Sequence, residues 1–211
     1  MGISVAKRQL LVAKIKKEHT MTTKNKKGFT IIEVVLVLAI AGLIFLMVFI
    51  ALPALQRTQR NTQREDDMAR VISAINDYQT NNNGKTPFNN LKAGSLEQFV
   101  QRYLDSGCKQ TATAESGKTK FSECGAQFLD PDGQPYQIEY VGEVGGTGEG
   151  AIAGGASIVS KLGGGTFNHT FYGFTNAGCG DEGVVEKGTG VRQVALFFVE
   201  EGGAIACNDN H

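Results

Sequence analysis

The chain has 211 residues, 41% of them hydrophobic, no tryptophan, and 21 basic against 21 acidic side chains, which leaves room for one long helix and one modest domain and excludes two large cores. The balanced charge is unevenly divided: residues 1–28 hold eight Lys or Arg against Glu18 alone, so the remainder carries 13 basic and 20 acidic side chains. Such an acidic remainder speaks against non-specific nucleic-acid binding, whose main source is neutralisation of phosphates.

Residues 1–27 are basic with scattered apolar positions (Ile3, Val5, Leu10, Leu11, Ile15). They fit a solvated leader that is discarded, or an amphipathic helix lying on a membrane surface. A start at Met21 instead of Met1 would shorten the leader to MTTKNKKG. The stretch from Lys26 to Leu52, KKGFTIIEVVLVLAIAGLIFLMVFIAL, then dominates the chain, and from Val34 to Leu52 it has no charged or polar side chain. At about 1.5 Å per residue, this run together with its flanks reaches across a hydrocarbon core of about 30 Å. An ordinary secretory signal has an apolar region of only about 7–15 residues and a small-residue exit, whereas here Pro53 stands where that cut would come. The basic excess in front predicts a cytoplasmic N-terminus and an external C-terminal domain.

Glu33 is the one acid within the apolar helix. A carboxylate there is costly unless paired, and is by default a functional residue. A cut between Gly28 and Phe29 would create an α-amino group one helical turn before it, mostly cationic near neutral pH.

The order of these residues, basic Lys26 and Lys27, then Gly28, aromatic Phe29, Glu33 and a long apolar run, resembles the processing site and N-terminal helix of type IV pilins and the related pseudopilins. Pro53 resembles the proline kink of those helices, about one turn later than usual. The resemblance implies cleavage after Gly28 by a prepilin peptidase, with Lys27, Gly28 and Phe29 as the processing site, and N-methylation of Phe29. It further implies that Glu33 pairs with the Phe29 amine of an adjacent subunit, and that a pilus assembly ATPase and a platform membrane protein build a helical homopolymer. The expected fold is α+β, a long spine helix whose first half is transmembrane and whose second half packs on a small antiparallel sheet. The expected divisions are a cleaved leader (1–28), a transmembrane and filament-core helix (29–53), the amphipathic half of the spine (54–84) and a globular head (85–211). The subunit would wait in the cytoplasmic membrane with its head outside and end in an extracellular filament.

Beyond Pro53, Gln56 to Asp67 (QRTQRNTQREDD) is polar all round and suits a helix without a buried face. Met68, Val71, Ile72, Ile75 and Tyr78 follow at helical spacing as one apolar stripe, and Asn81–Gly84 with Pro87 end it. Ser95-Leu96-Glu97-Gln98 reads as a capping box opening a short helix with Phe99, Val100, Tyr103 and Leu104 on its apolar side. Asp130-Pro131-Asp132-Gly133 is a turn. Tyr136, Ile138 and Tyr140 alternate with Gln137 and Glu139 as a half-buried strand, and Val194–Val199 (VALFFV) reads as a strand buried on both faces. Residues 142–190 hold 16 glycines and predict loops, bends and irregular strands.

Cys108, Cys124, Cys179 and Cys207 lack the CxxC spacing and histidine neighbours of a metal site, and outside the membrane they are expected to form disulfides. Three connectivities are open; Cys108–Cys124 and Cys179–Cys207 are favoured because each brackets a loop-rich piece of head, and the second pair resembles the C-terminal disulfide-bounded loop of many pilins. Ser116-Gly117-Lys118-Thr119 is not a phosphate loop, because Ala112 stands where a glycine is required. His169 has no cysteine or carboxylate at ligand spacing and reads as an ordinary histidine. The segment 130–136 (DPDGQPY) is similar to a turn in major pseudopilins of type II secretion, whose heads bind calcium, and Asp181, Glu182 and Glu186 follow in a Gly-rich loop. An ordinary turn and a solvated acidic loop are preferred, so no cofactor, no metal and no catalytic residue is expected. The expectation is a non-enzymatic structural subunit of a type IV pilus, with a secretion or competence pseudopilin, calcium-binding in one version, as the alternative.

Overall fold

A computed structural model of the chain describes residues 28–88, 95–111, 118–146, 151–159, 162, 167–190 and 192–210. Residues 1–27 of the leader, with Lys27 and both candidate start methionines, lie outside the described residues, as do 112–117, which include Ser116 and Gly117. The chain divides into two compact units, 1–50 and 51–211.

Helix α1 spans Ile31–Asn81 and passes through Pro53 without a break in its assignment. It starts two residues after Phe29 and stops three before Gly84, where Gly84 N–H donates to the Gln79 carbonyl at 2.7 Å with φ of +76°, a left-handed close that favours glycine. In the first unit every large apolar side chain from Phe29 to Ile50 is exposed. By length and composition the helix can cross a membrane, which gives that surface an apolar medium.

In the second unit α1 buries Met68, Val71, Ile72, Ala74 and Ile75, the expected stripe. Helix α2, Ser95–Tyr103, adds Phe99 and Val100, and Tyr78 meets Phe99 and Tyr103 edge-on. Among the described residues nine strands follow: β1 (Lys109–Thr111), β2 (Lys118–Glu123), β3 (Gln137–Glu143), β4 (Ala156–Ser157), β5 (Thr170–Thr175), β6 (Ala177–Cys179), β7 (Val184–Lys187), β8 (Val194–Val199) and β9 (Ile205–Asp209). They form a six-stranded sheet, β1-β2-β3-β5-β8-β9, and a three-stranded sheet, β4-β7-β6.

The larger sheet is mixed, not purely antiparallel, because β3 and β5 run parallel with Ile138 opposite Phe171. A parallel pair needs a long crossover, and the 26 residues from Val144 to His169 supply it. Strand β5 is the main departure from the expected loops and irregular strands of 142–190, since all six of its residues are buried. Period-2 alternation sorts it and β8 between two cores: Phe171, Val194, Leu196 and Phe198 face the helices, while Tyr172, Phe174, Ala195, Phe197 and Val199 join Val185 of the smaller sheet. Coverage of both faces is why VALFFV carries no polar residue.

Candidate functional site

In the first unit, the chemistry concentrates where α1 begins. Thr30 and Glu33 form a reciprocal cap: Thr30 N–H and Thr30 Oγ1 each donate to Glu33 Oε2 at 3.0 Å, and Glu33 N–H donates to Thr30 Oγ1 at 3.4 Å. This is the Thr-x-x-Glu capping box, which satisfies N–H groups that a helix start leaves without partners. Glu33 Oε1 accepts nothing among the described residues, and the Glu33 side chain is exposed. Gly28 and Phe29 precede the helix, both exposed, and Phe29 keeps 88% of its surface open. The sequence predicts a Phe29 amine as the partner of Glu33; the Thr30 partner is legible in the same four residues as Thr-x-x-Glu.

In the second unit, the polar run Gln56–Asp67 does have a buried face, and it is cationic. Arg64 is wholly buried and uses all five guanidinium N–H donors. Nε donates to Asp130 Oδ2 at 2.6 Å and Nη2 to Asp130 Oδ1 at 2.9 Å. Nη2 also reaches Asp132 Oδ1 at 3.0 Å, and Nη1 reaches Glu201 Oε1 at 2.7 Å and Asn61 Oδ1 at 3.1 Å. The Phe167 ring lies 4.3 Å from the Arg64 Cζ, a cation–π contact. One turn earlier Arg60 grips Glu201 with two bonds, Nε at 2.7 Å and Nη2 at 2.5 Å.

The ligands to Arg64 come from three connections. The 130–133 turn presents Asp130 and Asp132, with Gly133 N–H donating to the Asp130 carbonyl at 2.7 Å and Asp132 N–H to Asp130 Oδ1 at 3.0 Å. The β8–β9 turn presents Glu201, and the approach to β5 presents Phe167. Burial pushes the Asp130 carboxyl up, but the hydrogen bonds from Arg64 and the 132 amide outweigh it and hold it at about 2. Glu201 is held at about 2 by Arg60 first and Arg64 with it. Asp132 moves up because it shares a hydrogen bond with Asp130. Nearby, burial pushes up both Tyr136 and Asp67, whose side chains meet at 2.8 Å.

His169, read from the sequence as lacking carboxylate neighbours, sits with Nδ1 3.5 Å from Asp130 Oδ2 and Nε2 4.0 Å from Asp132 Oδ2. Asp130, Asp132 and His169 thus come within 4.8 Å of one another, as metal ligands would. The donor set does not fit a calcium ion, which takes six to eight oxygens: three of the four carboxylate oxygens already accept from Arg64, which supplies the positive charge here. Asp181 and Glu186 are exposed and do not join this group. The cluster has the parts of an ionic clamp between α1 and three connections, with no nucleophile held by a base.

The cysteines pair as Cys108–Cys124 and Cys179–Cys207. The first closes the β1–β2 end beside α2; the second ties β6 of the smaller sheet to β9 of the larger. Of the sequence-derived site residues, Gly28, Phe29 and Glu33 lie together at the start of α1 and Pro53 lies within that helix.

No curated protein and no solved structure matches the chain. The prokaryotic N-terminal methylation motif matches residues 23–49, a span that contains Gly28, Phe29, the Thr30–Glu33 cap and most of the exposed apolar helix. The chain carries the N-terminal signature of type IV pilins and pseudopilins.

Proposed function

We propose that this protein is a structural subunit of a type IV pilus, cut after Gly28 by a prepilin peptidase, methylated on Phe29 and polymerised by an assembly ATPase and a platform protein. The observation that carries the reading is the coincidence of the methylation motif with an apolar stretch, Phe29 to Ile50, that exposes every large side chain. Such a surface stays out of water in a bilayer and equally in a bundle of the same helices, so subunits leave the membrane without hydrating it.

The Thr30–Glu33 cap deepens the assembly role. It holds Oε2 and orients the carboxylate, while Oε1 is open to a second donor, the Phe29 ammonium of an adjacent subunit. Pairing two charges in an apolar medium removes the cost of each and fixes axial register.

Mass spectrometry of material sheared from the cell surface tests the reading. The expected product is abundant and starts at N-methylated Phe29. A surface product that retains Lys26 and Lys27, or a chain never recovered in polymer, overturns it, and a processed chain confined to short envelope assemblies marks a pseudopilin. Glu33→Ala is expected to be cut and inserted but to assemble poorly, and Gly28→Asp to remain as uncut precursor on an immunoblot.

A further inference from the structure

The C-terminal turns of α1 carry a second polar face. Asn76, Gln79 and Thr80 stand at i, i+3 and i+4 on one face of the last turns of α1, Asn83 follows in the turn that closes it at φ +55°, and all four are uncharged hydrogen-bonding side chains. With Gly84 and Arg192 they line an open cleft of about 380 Å³, within the roughly 300–1,000 Å³ typical of small-ligand sites.

The cleft is braced from behind. Gln79 Nε2 donates to the Arg192 carbonyl at 2.7 Å, and Asn210 Nδ2 donates to the same carbonyl at 3.2 Å and to Asn76 Oδ1 at 2.9 Å. These contacts fix the Arg192 backbone and use one end of two carboxamides. The Arg192 guanidinium itself has no hydrogen-bond or ion-pair partner among the described residues, and it rests on Gly84, whose φ of +76° and missing side chain make the approach possible: a Cβ there would overlap the guanidinium. Arg192 is exposed, in contrast to Arg64, whose five donors are all taken.

We propose that this cleft binds a carboxylate-bearing sugar, a uronic-acid unit of an acidic polysaccharide. The guanidinium fork matches one carboxylate in two parallel hydrogen bonds. Carboxamides both donate and accept, as sugar hydroxyls do, and the Thr80 hydroxyl, whose proton goes to the Asn76 carbonyl at 2.9 Å, still accepts. A nucleic acid would need several cations along its backbone, and the cleft has one. An acidic peptide would offer repeated charge and few hydroxyls to a wall that has one charge and many hydrogen-bonding groups.

The test uses the full chain in detergent micelles, titrated calorimetrically with galacturonic-acid oligomers, with neutral galactose oligomers of equal length, and with oligoglutamate. The galacturonate oligomer is expected to bind at least about tenfold more tightly than either control, and Arg192→Gln to weaken it by about tenfold or more. Asn83→Gly removes one carboxamide while preserving a backbone at φ +55°, and is expected to weaken binding about threefold or more with an unchanged thermal midpoint. Equal binding of the neutral oligomer or of oligoglutamate overturns the assignment, and so does undiminished binding by Asn83→Gly, which decides the matter even if Arg192→Gln fails to fold. The measurement is made on monomer, so its failure leaves the filament reading standing, and a failed filament leaves this site standing.

Discussion

Arg64 and Asp130 face each other through two parallel hydrogen bonds, 2.6 and 2.9 Å long, with neither side chain open to solvent. Removing one partner strands the other charge in the interior. Arg64→Ala is expected to destabilise the head by about 3–5 kcal/mol, or roughly 6–20 °C in thermal midpoint for a chain of this size. The double variant Arg64→Met/Asp130→Leu should recover much of that loss, because replacing a buried pair with apolar groups is often neutral or better. A double-mutant cycle read by circular dichroism checks both; additive losses would rule out the pairing.

Acid should open the same clamp. Asp130 and Glu201 have folded values of about 2, below the roughly 3.9 and 4.3 of unfolded Asp and Glu. Their stabilisation is therefore complete above about pH 5 and is lost as the pH falls from about 4 towards 2. Asp67 and Glu200, raised by burial, and Asp132, raised by its bond to Asp130, shift the other way, so their protonation favours the fold and offsets part of the loss. Denaturant midpoints across pH 2–6 should show a descending acid limb, and that limb should be shallower in Arg64→Met.

Gly173 lets Phe88 lie flat on the middle of the sheet. A Cβ at 173 would fall 2.7 Å from Phe88 Cζ, and Phe88 is already stacked on Tyr140 with centroids 5.4 Å apart. Gly173→Val should cost about 1–3 kcal/mol through overpacking, and Phe88→Leu in the same chain should restore part of it. Melting of the single and paired variants measures both effects.

The Cys179–Cys207 bond is a covalent cross-link between the two sheets. Changing both residues to serine should cost about 2–5 kcal/mol and should speed amide exchange first in β4, β6 and β7. Exchange in α1 should change less, since Met68–Ile75 belong to the other core. Hydrogen exchange with mass spectrometry resolves the two regions.

Glu33→Gln separates two roles of one side chain. The amide oxygen can still accept from Thr30 and preserve the cap, but the negative charge is gone. If charge pairing drives assembly, Glu33→Gln should polymerise as poorly as Glu33→Ala; if capping alone matters, it should polymerise normally while Thr30→Val should fail. Electron microscopy of sheared filaments distinguishes them.

Local periodicity made much of this molecule legible in its sequence. The apolar run, the Met68–Ile75 stripe, α2 and β8 each announce themselves within one continuous stretch of sequence. Strand β5 does not: TFYGFT sits in a Gly-rich tract, carries a glycine at its centre, and owes its place to a parallel neighbour more than thirty residues earlier. Arg64 is one of several arginines in a uniformly polar stretch, and nothing nearby distinguishes it from Arg57 or Arg70. Its partners are 66 and 137 positions away, a pairing that no local pattern encodes. His169 likewise has no carboxylate among its sequence neighbours, because Asp130 and Asp132 arrive from a distant turn.

That separation has a consequence for biosynthesis. Residue 64 leaves the ribosome 137 residues ahead of Glu201, which at about 5–20 residues per second is on the order of ten seconds. Throughout that interval the guanidinium has no anionic partner from the last hairpin, and the oily stripe beside it lacks the strand that will cover it. A nascent chain interrupted before its final hairpin therefore keeps one fork of the guanidinium without its carboxylate and an apolar stripe without Val194, Leu196 and Phe198 above it.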